Sequence, residues 1–470
     1  MTMDSGPRPA ATGTLSLGRH DSTAIDPRRA LPKTDVLLAL PVMCELAAAW
    51  GRPLVAETTR RVLDEVRRSV AGGGAVPSPE EIAATVAGSL AALNAGRVRS
   101  VINATGVVLH TNLGRAPLSE AARAAVNAAA GYSTVEFDLA TGGRGKRGAT
   151  VNTMLRELSG APGALAVNNA AAALFLALGT LARDREVIVS RGELVEIGGE
   201  FRIPAIMEAA GARLVEVGST NRTHVADYVN AVTDRTAMLM VVHPSNYRIE
   251  GFTAAPPLPA LVSVAREAGL PLLHDLGSGL LTGRMGDEPT LRDSLAAGTD
   301  LAVFSGDKLF GGPQAGIVVG DDTLVRRLSR HPIARAVRID KLTLAALEAT
   351  LLSHLGGRRS ELPVWRMLDA SLDDLTRRAT RLAGSIGRRA RVREGTGMVG
   401  GGSLPAERLP SVLVELDCGP SGESAVTSAL RAGETPVIVR TERGRVLVDL
   451  RTVAPEEDEV LEKALLAVLA

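Results

Sequence analysis

The chain has few cysteines and few aromatic residues. Only two of its 470 residues are cysteines, Cys44 and Cys418. This excludes a disulfide framework and a zinc site built from cysteines. Aromatic residues amount to 2%, so the base-stacking platforms of single-strand binding proteins are not expected. The histidines His110, His243 and His274 do not have the spacing of metal ligands, and we expect no metal.

The chain also lacks an excess of charge and any long apolar run. It carries 53 Lys and Arg against 52 Asp and Glu, which excludes a globally basic nucleic-acid coat but leaves room for a local basic patch. No stretch reaches about 18 uninterrupted apolar residues, so no membrane-spanning helix is expected. Residues 1–30 lack the apolar core of a secretion signal and are predicted to be a disordered tail. We expect a soluble cytoplasmic enzyme.

A small helical unit is predicted over residues 31–70. Apolar residues from Val62 to Val70 recur there at helical spacing. Four arginines lie beside this apolar stripe, and they form either an ordinary solvated face or a basic face for phosphates: Arg60, Arg61, Arg67 and Arg68. Residues 71–100 are predicted to be a linker and a helix that starts at Ser78, with Glu81 completing a capping box.

The rest of the chain has an α/β pattern. Over residues 101–340, near-continuous apolar strands alternate with helical stretches, which predicts a large domain with a mostly parallel sheet covered on both faces. Its strands are expected at 186–190, 213–217, 237–242, 271–275, 301–305 and 316–320. Residues 341–470 continue with a long helix, three strands at 411–417, 435–440 and 445–450, and a closing helix. This pattern predicts a small C-terminal α+β domain. The glycine run at 395–402 is expected to be a loop or a strand edge.

One lysine stands out by its surroundings. Lys308 lies in SGDKLFGGPQAG (305–316), directly after a predicted buried strand. Lysines seldom occur at such places for packing, because a buried ammonium is costly. A lysine in a dry pocket can have a lowered pKa and form a Schiff base; the alternative is a surface lysine in a turn. Asp275, in HDLGSG (274–279), ends another strand and could pair with a pyridinium nitrogen.

A phosphate site is predicted at the start of a helix. Asn168, Asn169 and Ala170 would offer backbone amides at a helix N-terminus, where a dianion is favoured. Ser305, three residues before Lys308, could add a hydroxyl. Each feature is weak alone, but together and in this order they predict a fold type I enzyme that depends on pyridoxal phosphate.

Longer blocks resemble one family, the bacterial selenocysteine synthases, or L-seryl-tRNA(Sec) selenium transferases. The resemblance includes the N-terminal unit and so covers nearly the whole chain beyond the tail. Pro244 departs from the family, where a small polar residue is expected, and it should alter a turn. The blocks that carry the resemblance are NATGVVLHTNLGRAPLS (103–119), GYSTVEFDLATGGRGKRG (131–148), SRGELVEIGGEFRIP (190–204), HPSNYRIEGF (243–252), HDLGSG, SGDKLFGGPQAG and DLRTV (449–453).

The resemblance implies a reaction and its participants. Seryl-tRNA(Sec) would lose water by β-elimination to give an aminoacryloyl intermediate, and selenophosphate would then add selenium. Lys308 would be the general base and Asp307 the family's catalytic aspartate, with Arg335 as a further catalytic candidate; a turn-forming aspartate is the alternative for Asp307. Arg335 and Arg338, at helical i, i+3 spacing, match arginines of the family's anion site, and Arg115 is a third candidate; surface arginines are the alternative. The N-terminal arginines would bind tRNA, and the protein would be a homodimer at minimum and a homodecamer in full.

Two other functions remain open on the sequence. The chain could be a related lyase or ammonia-lyase that uses the same cofactor on a small amino acid or amino sugar. The N-terminal unit argues against this, because a small free substrate would not need it. It could also be a tRNA-binding or scaffolding protein without catalysis, but the combination of Lys308, Asp275 and Ser305 with the arginines argues against that.

Overall fold

The structure is a computed structural model that describes residues 27–197, 201–404 and 407–469. Two compact units are present, Met1–Arg99 and Ser100–Ala470. The tail predicted over 1–30 lies outside the described residues as far as residue 26, and Pro27–Ala30 form a short 3-10 helix. No helix in the described part of the chain is long and apolar enough to cross a membrane. No group of three or more His, Cys, Asp or Glu in that part is placed to hold a metal ion.

The N-terminal unit is a small helical bundle. Its buried core includes Leu37, Met43 and Leu63. The helix of residues 79–95 begins at the predicted capping box: the Ser78 amide donates to the Glu81 carboxylate at 2.7 Å, and the Glu81 amide donates to Ser78 Oγ at 3.1 Å. That prediction is confirmed. The helices are α1 (Thr34–Leu38), α2 (Pro41–Trp50), α3 (Arg52–Ala71) and α4 (Pro79–Ala95).

The larger unit alternates strands and helices as the sequence predicts. Its described strands are β1 (Ile102–Asn103), β2 (Val107–Leu109), β3 (Gly163–Val167), β4 (Glu186–Ser190), β5 (Glu196–Ile197), β6 (Phe201–Arg202), β7 (Arg213–Val217), β8 (Thr236–Val242), β9 (Leu272–Gly277), β10 (Leu301–Ser305), β11 (Gly316–Gly320), β12 (Ala390–Gly400), β13 (Arg408–Leu416), β14 (Val437–Ile438), β15 (Arg440–Glu442) and β16 (Arg445–Asp449). Its described helices are α5 (Glu120–Ala129), α6 (Ala149–Ser159), α7 (Ala170–Leu181), α8 (Ile203–Ala209), α9 (Val225–Ala231), α10 (Leu258–Glu267), α11 (Leu291–Ala296), α12 (Asp322–Arg330), α13 (Pro332–Ala336), α14 (Lys341–Leu355), α15 (Pro363–Leu368), α16 (Leu372–Ile386), α17 (Gly422–Ala432) and α18 (Asp458–Leu469).

The large sheet has the strand order β3-β11-β10-β9-β8-β4-β7 among the described residues. All its strands run parallel except β11, which is antiparallel to β10 and β3. Side chains of β10 alternate between two cores: Val303 packs with α7 and α8 on one face, and Phe304 packs with α6 and α14 on the other. The sheet is therefore covered on both faces, and the carboxyl ends of its parallel strands meet at one edge.

The smaller sheet combines C-terminal strands with residues from the start of the unit. Its order is β15-β16-β13-β12-β2, and β1 pairs with β14 beside it. The glycine run predicted as a loop or strand edge forms the end of β12 and pairs in parallel with β2. In addition, α14 packs on α5 and α6 of the large domain. The domain boundary predicted at residue 340 stays a prediction. Two contacts join residues on either side of it: β2 pairs with β12, and α14 packs on α5 and α6.

The buried carboxylate of Asp449 links β16 to β13 and lies against the residue that precedes β2. Asp449, at the end of β16, is fully buried. Its Oδ1 accepts hydrogen bonds from Ser411 Oγ at 2.7 Å and from the Arg451 amide at 3.1 Å. Gly106 approaches it so closely that a Cβ at Gly106 would lie 2.6 Å from Asp449 Cγ. The DLRTV block thus has a packing role in this fold.

Candidate active site

Lys308 and Asp275 meet at the carboxyl edge of the large sheet. Asp275 lies on β9 and Lys308 follows the neighbouring strand β10, and both residues are buried, with 6% and 5% exposure. Burial lowers the pKa of Lys308, against the opposing effect of the Asp275 charge. Burial also raises the pKa of Asp275, which the Lys308 charge partly offsets. An amine with a lowered pKa in a dry site can act as a base or a nucleophile.

Backbone surrounds the Lys308 amine closely. A Cβ at Gly402 would lie 2.7 Å from Lys308 Nζ, and one at Gly277 would lie 3.8 Å from the same atom. The Gly277 position also faces Ser245, whose Oγ would be 3.5 Å away from that Cβ. The end of the glycine run therefore brings the backbone of the small domain against the reactive amine.

Asp307 holds Arg115 next to Lys308. Its Oδ2 accepts a hydrogen bond from Arg115 Nη1 at 2.8 Å, and its Oδ1 accepts one from Ser305 Oγ at 2.5 Å. The Ala116 amide also donates to the Asp307 carbonyl at 3.1 Å. Arg115 has a positive φ of 62°, a conformation that costs energy and persists where the surroundings impose it. The Ser305 hydroxyl, predicted to bind phosphate, is bonded to Asp307 in this structure.

The predicted phosphate cradle starts α7. Asn169 is the N-cap, and its side chain accepts a hydrogen bond from the Ala172 amide at 2.8 Å. Ala170 is the first helical residue, so its amide has no intrahelical acceptor. The Asn168 side chain, with its amide oriented to donate, bonds the carbonyls of Val337 at 2.9 Å and Arg338 at 2.7 Å. Asn168 therefore ties the cradle to the arginine segment instead of offering its side chain to a phosphate.

Arg335 and Arg338 line a basic cavity beside β3. The cavity has a volume of about 990 Å³, and Arg115, Asp275 and Lys308 are not among its lining residues. Both arginines are exposed, and Arg338 Nη1 lies 3.6 Å from Glu136. Within one chain the three predicted anion-binding arginines therefore divide between two places. Further basic residues around the cavity are Lys146, Arg147, Arg156, Arg326 and Arg330.

The four N-terminal arginines differ in their partners. All are exposed on α3. Arg60 pairs with Glu57 at 2.9 Å, and Arg67 pairs with Asp64 at 2.7 Å. Arg61 and Arg68 make no ion pair with any residue that the structure describes. Since seven residues separate Arg61 from Arg68, these two share one face of the helix.

Two carboxyl residues near the site were not predicted from the sequence. Glu288 is buried, and its Oε2 lies 3.2 Å from His243 Nε2. Glu193 accepts a hydrogen bond from the Val242 amide at 2.9 Å, and burial raises its pKa to about 8. Glu193 ends a short 3-10 helix and Glu288 lies in a loop. No local sequence pattern marks either residue as part of a site. His274, in contrast, is a core histidine that bonds Ser294 at 2.9 Å, and burial lowers its pKa to about 4.

Unsatisfied polar atoms around Lys308 fit a polar cofactor. Ser245 Oγ and Ser278 Oγ are buried and have no hydrogen-bond partner among the described residues. Buried polar groups without partners are rare and indicate a missing ligand or water. Together with the Lys308–Asp275 pair and the free amide at the start of α7, they suit pyridoxal phosphate, which needs an amine, an acid for its ring nitrogen and an anion site.

This fold and this site define a fold type I pyridoxal-phosphate enzyme. A solved structure of D-glucosaminate-6-phosphate ammonia-lyase has the same fold, with a TM-score of 0.58, 21% identity, and coverage of 79% of this chain and 96% of that one. Within this class, the chain belongs to the L-seryl-tRNA selenium transferase family, whose model matches residues 101–454. A second model, selenocysteine synthase N terminal, matches residues 28–67.

Named relatives cover almost the full length of the chain. The L-seryl-tRNA(Sec) selenium transferase of Moorella thermoacetica is 47% identical over 456 residues, which is 94% of this chain and 97% of the relative. The enzyme of the same name from Geotalea daltonii is 45% identical over 451 residues, with 93% and 98% covered. The family resemblance inferred from the sequence blocks is confirmed.

Proposed function

We propose that this chain converts seryl-tRNA(Sec) to selenocysteinyl-tRNA(Sec) in the cytoplasm, with selenophosphate as the selenium donor. The observation that carries the proposal is the family match, which extends over the catalytic unit and the separate N-terminal helices. The buried Lys308–Asp275 pair supports it, because the reaction removes a proton from the seryl α-carbon. Water is lost across Cα and Cβ; selenium then adds at Cβ while Cα regains a proton, and cleavage of the selenium–phosphorus bond by water releases phosphate.

The residues around Lys308 have separate roles in holding the cofactor and moving the α-proton. Lys308 and Asp275 would hold the cofactor's reactive carbon and its ring nitrogen, and the start of α7 would hold its phosphate. When bound, pyridoxal phosphate supplies an electron sink for bond breaking at the substrate α-carbon. The Lys308 amine accepts the α-proton at Nζ, and burial favours its unprotonated form because it lowers the pKa of this amine. Glycine at position 402 leaves room for this amine, because a Cβ there would lie 2.7 Å from Lys308 Nζ.

Arginines supply the anion site for selenophosphate. Arg115 uses one N–H on Asp307, and its remaining donors can bind an oxyanion in the bidentate manner that guanidinium allows. Asp307 thus acts as a positioning residue for Arg115. Arg335 and Arg338 are the other candidates, and their cavity is rich in basic groups. A homo-oligomer, a dimer at minimum and a decamer in full, could unite the two groups from different subunits.

Exposed apolar side chains support such an assembly. Tyr132, Phe137 and Leu139 are 109%, 50% and 78% exposed in the loop between α5 and α6. The loop is held in shape by ion pairs of Glu136 with Arg144 and Arg147, both at 2.9 Å. Light scattering on wild type and on the double variant Phe137→Ser, Leu139→Ser tests this. An unchanged mass would remove this loop from the subunit contact.

The N-terminal helices would bind the tRNA body through phosphates. Arg61 and Arg68 are the strongest candidates, because Arg60 and Arg67 are already paired. Replacing Arg61 and Arg68 by glutamine should weaken tRNA binding and lower the salt slope of log K by about 1 for each phosphate that is no longer bound. The matched control replaces Arg60 and Arg67. Equal losses in both double variants would assign the effect to overall charge.

A turnover assay tests the function directly. Purified protein loaded with pyridoxal phosphate is given selenophosphate and either seryl-tRNA(Sec) or free serine, and selenium in the product is measured. We expect turnover with seryl-tRNA(Sec) only, and a loss of about 10²–10⁴-fold in proton abstraction for Lys308→Ala. Lys463→Ala, at an exposed position on α18, is the control. Turnover of free serine alone would favour the lyase.

A further inference from the structure

A second cavity opens at the carboxyl ends of β4, β7 and β8. Its volume is about 460 Å³, within the range of small-molecule sites. Its lining includes the buried Glu288 and the half-buried His243, Glu193 and Tyr247. The residues predicted to hold the cofactor are not among the described residues that line it. The cavity is therefore a neighbour of the cofactor site and has its own lining.

This cavity borders the Lys308 amine. Gly402 and the Gly277–Ser245 contact lie next to Lys308 Nζ. Pro244, next to Ser245 in the chain, and Leu404, two residues after Gly402, line the cavity. Residues close in the chain to the surroundings of Lys308 therefore belong to the cavity lining. A substrate whose amine reaches Lys308 would place the atoms that follow the amine in or beside this space.

In an aminoacyl-tRNA, covalent geometry identifies the atoms that follow the substrate amine. The amine is followed by Cα, the carbonyl carbon and the ester oxygen of the terminal ribose, so the ribose begins only about 4 Å from the amine. We propose that the cavity binds the 3′-terminal adenosine of the aminoacyl-tRNA. This proposal rests on the function proposed above and adds a subsite to it.

The inner carboxyl groups suit ribose hydroxyls. Glu288 Oε1 is buried and has no partner among the described residues, so it can accept a hydrogen bond from a hydroxyl. Glu193 holds its proton near neutral pH, because its pKa is raised to about 8, and it can donate one. A donor and an acceptor in the lining of one cavity suit a neutral diol, whose hydroxyls both donate and accept.

The outer part of the cavity suits the base and the preceding phosphate. Tyr247 is half-buried and its hydroxyl donates to the Gly192 carbonyl, which fixes the ring on the cavity wall. Arg222 is exposed at the rim and makes no ion pair with any residue in the described ranges. Arg248 is shared between Glu250 at 3.6 Å and Asp287 at 3.7 Å. Arg222 is therefore the cation available for a phosphate, and Tyr247 is the ring available for stacking.

The test compares two tRNAs on the protein loaded with pyridoxal phosphate. One is uncharged tRNA(Sec) with its complete 3′ end, and the other lacks only the terminal adenosine. Wild type should bind the complete tRNA at least about fivefold more tightly, the lower end of the range for one base–aromatic stack. Tyr247→Leu should lose most of this preference, because only the stacking contact is removed. Lys463→Ala, at an exposed position on α18, should keep it.

Further readouts separate this inference from the proposed function. Arg222→Gln should weaken binding of the complete tRNA only, and the absorption spectrum of the bound cofactor should stay unchanged in all variants. If wild type turns over seryl-tRNA(Sec) but Tyr247→Leu keeps the full preference, the subsite is wrong and the function stands. If Arg222→Gln weakens binding of the complete tRNA while Tyr247→Leu keeps the full preference for it, the cavity is an anion site and the proposal is overturned. Absence of turnover with tight binding of both tRNAs by wild type would contradict the function itself.

Discussion

Gly106 provides the sharpest test of how the smaller sheet is built. Gly106 and Gly444 have the same φ of 76°, so alanine suffers the same backbone strain at both. At Gly444, in the turn between β15 and β16, nothing lies within 4 Å of an added Cβ. At Gly106 an added Cβ would lie 2.6 Å from Cγ and 2.9 Å from Cβ of Asp449. Gly106→Ala should therefore destabilise the protein more than Gly444→Ala.

The difference can be sized from the contacts. Alanine at a left-handed φ costs about 1–2 kcal/mol at either position. At Gly106, overpacking adds about 1–3 kcal/mol. Asp449 is fully buried and bonded to Ser411 and to the Arg451 amide, so moving it leaves buried groups unsatisfied at about 1–3 kcal/mol. We expect Gly106→Ala to cost about 2–6 kcal/mol more than Gly444→Ala.

Thermal unfolding of the two variants at one scan rate measures this difference. With an unfolding entropy of about 2.1 cal/mol/K per residue, a unit as long as Ser100–Ala470 loses roughly 1.3 °C of Tm per kcal/mol, so Gly106→Ala should melt at least about 2 °C below Gly444→Ala. A Gly106→Ser variant should behave like Gly106→Ala. Equal melting temperatures for Gly106→Ala and Gly444→Ala would refute the reasoning, since the positive φ alone would then account for both.

Three more predictions concern the site. Asp275→Asn should slow water loss from the substrate and leave the fold intact, as stopped-flow absorbance and circular dichroism would report; wild-type rates would contradict the ring-nitrogen assignment. Arg335→Ala and Arg338→Ala should impair selenium transfer more than water loss, and a trapping assay with equal losses in both would indicate a structural role. For Glu193, whose pKa is raised to about 8, the folded state keeps a proton that the unfolded state releases above about pH 4.5. Stability should therefore fall as pH rises towards 8, and Glu193→Gln should flatten this fall in unfolding midpoints measured from pH 5 to 9.

The sequence predicted the large sheet well because its strands are buried on both faces. Continuous apolar runs mark such strands, and the predicted runs 186–190, 213–217, 301–305 and 316–320 coincide with β4, β7, β10 and β11. The reversed direction of β11 leaves no trace in the pattern, since hydrophobicity does not encode direction. The glycine run was harder to interpret, because glycine is rare in strands, yet residues 395–400 belong to β12. Facing backbone accounts for two of these glycines: a Cβ at Gly397 would lie 2.7 Å from the Gly106 carbonyl oxygen, and one at Gly400 would lie 2.5 Å from that of Leu109.

The site residues that lie close to strand ends were predictable from the sequence. Asp275 lies near the end of β9 and Lys308 lies three residues after β10, so the topology brings both to one edge of the sheet. The Arg115–Asp307 ion pair joins residues far apart in the chain, and no local pattern reports such a contact. Glu288 is similar, since its role depends on His243 from another loop. Asn168 looked like a phosphate ligand by its place, but its side chain bonds the Val337 and Arg338 carbonyls.

The pairing of β1 and β2 with C-terminal strands sets an order on folding during synthesis. Ile102 pairs with Val437, and Val107 pairs with Met398, so each early strand leaves the ribosome roughly three hundred residues before its partner. At about 5–20 residues per second, the wait lasts about 15–60 s. The large sheet, whose strands end at Gly320, can form during this time. Lys308 would then remain exposed on the nascent chain until Gly402 is translated. The C-terminal part of the chain would therefore complete the surroundings of this lysine.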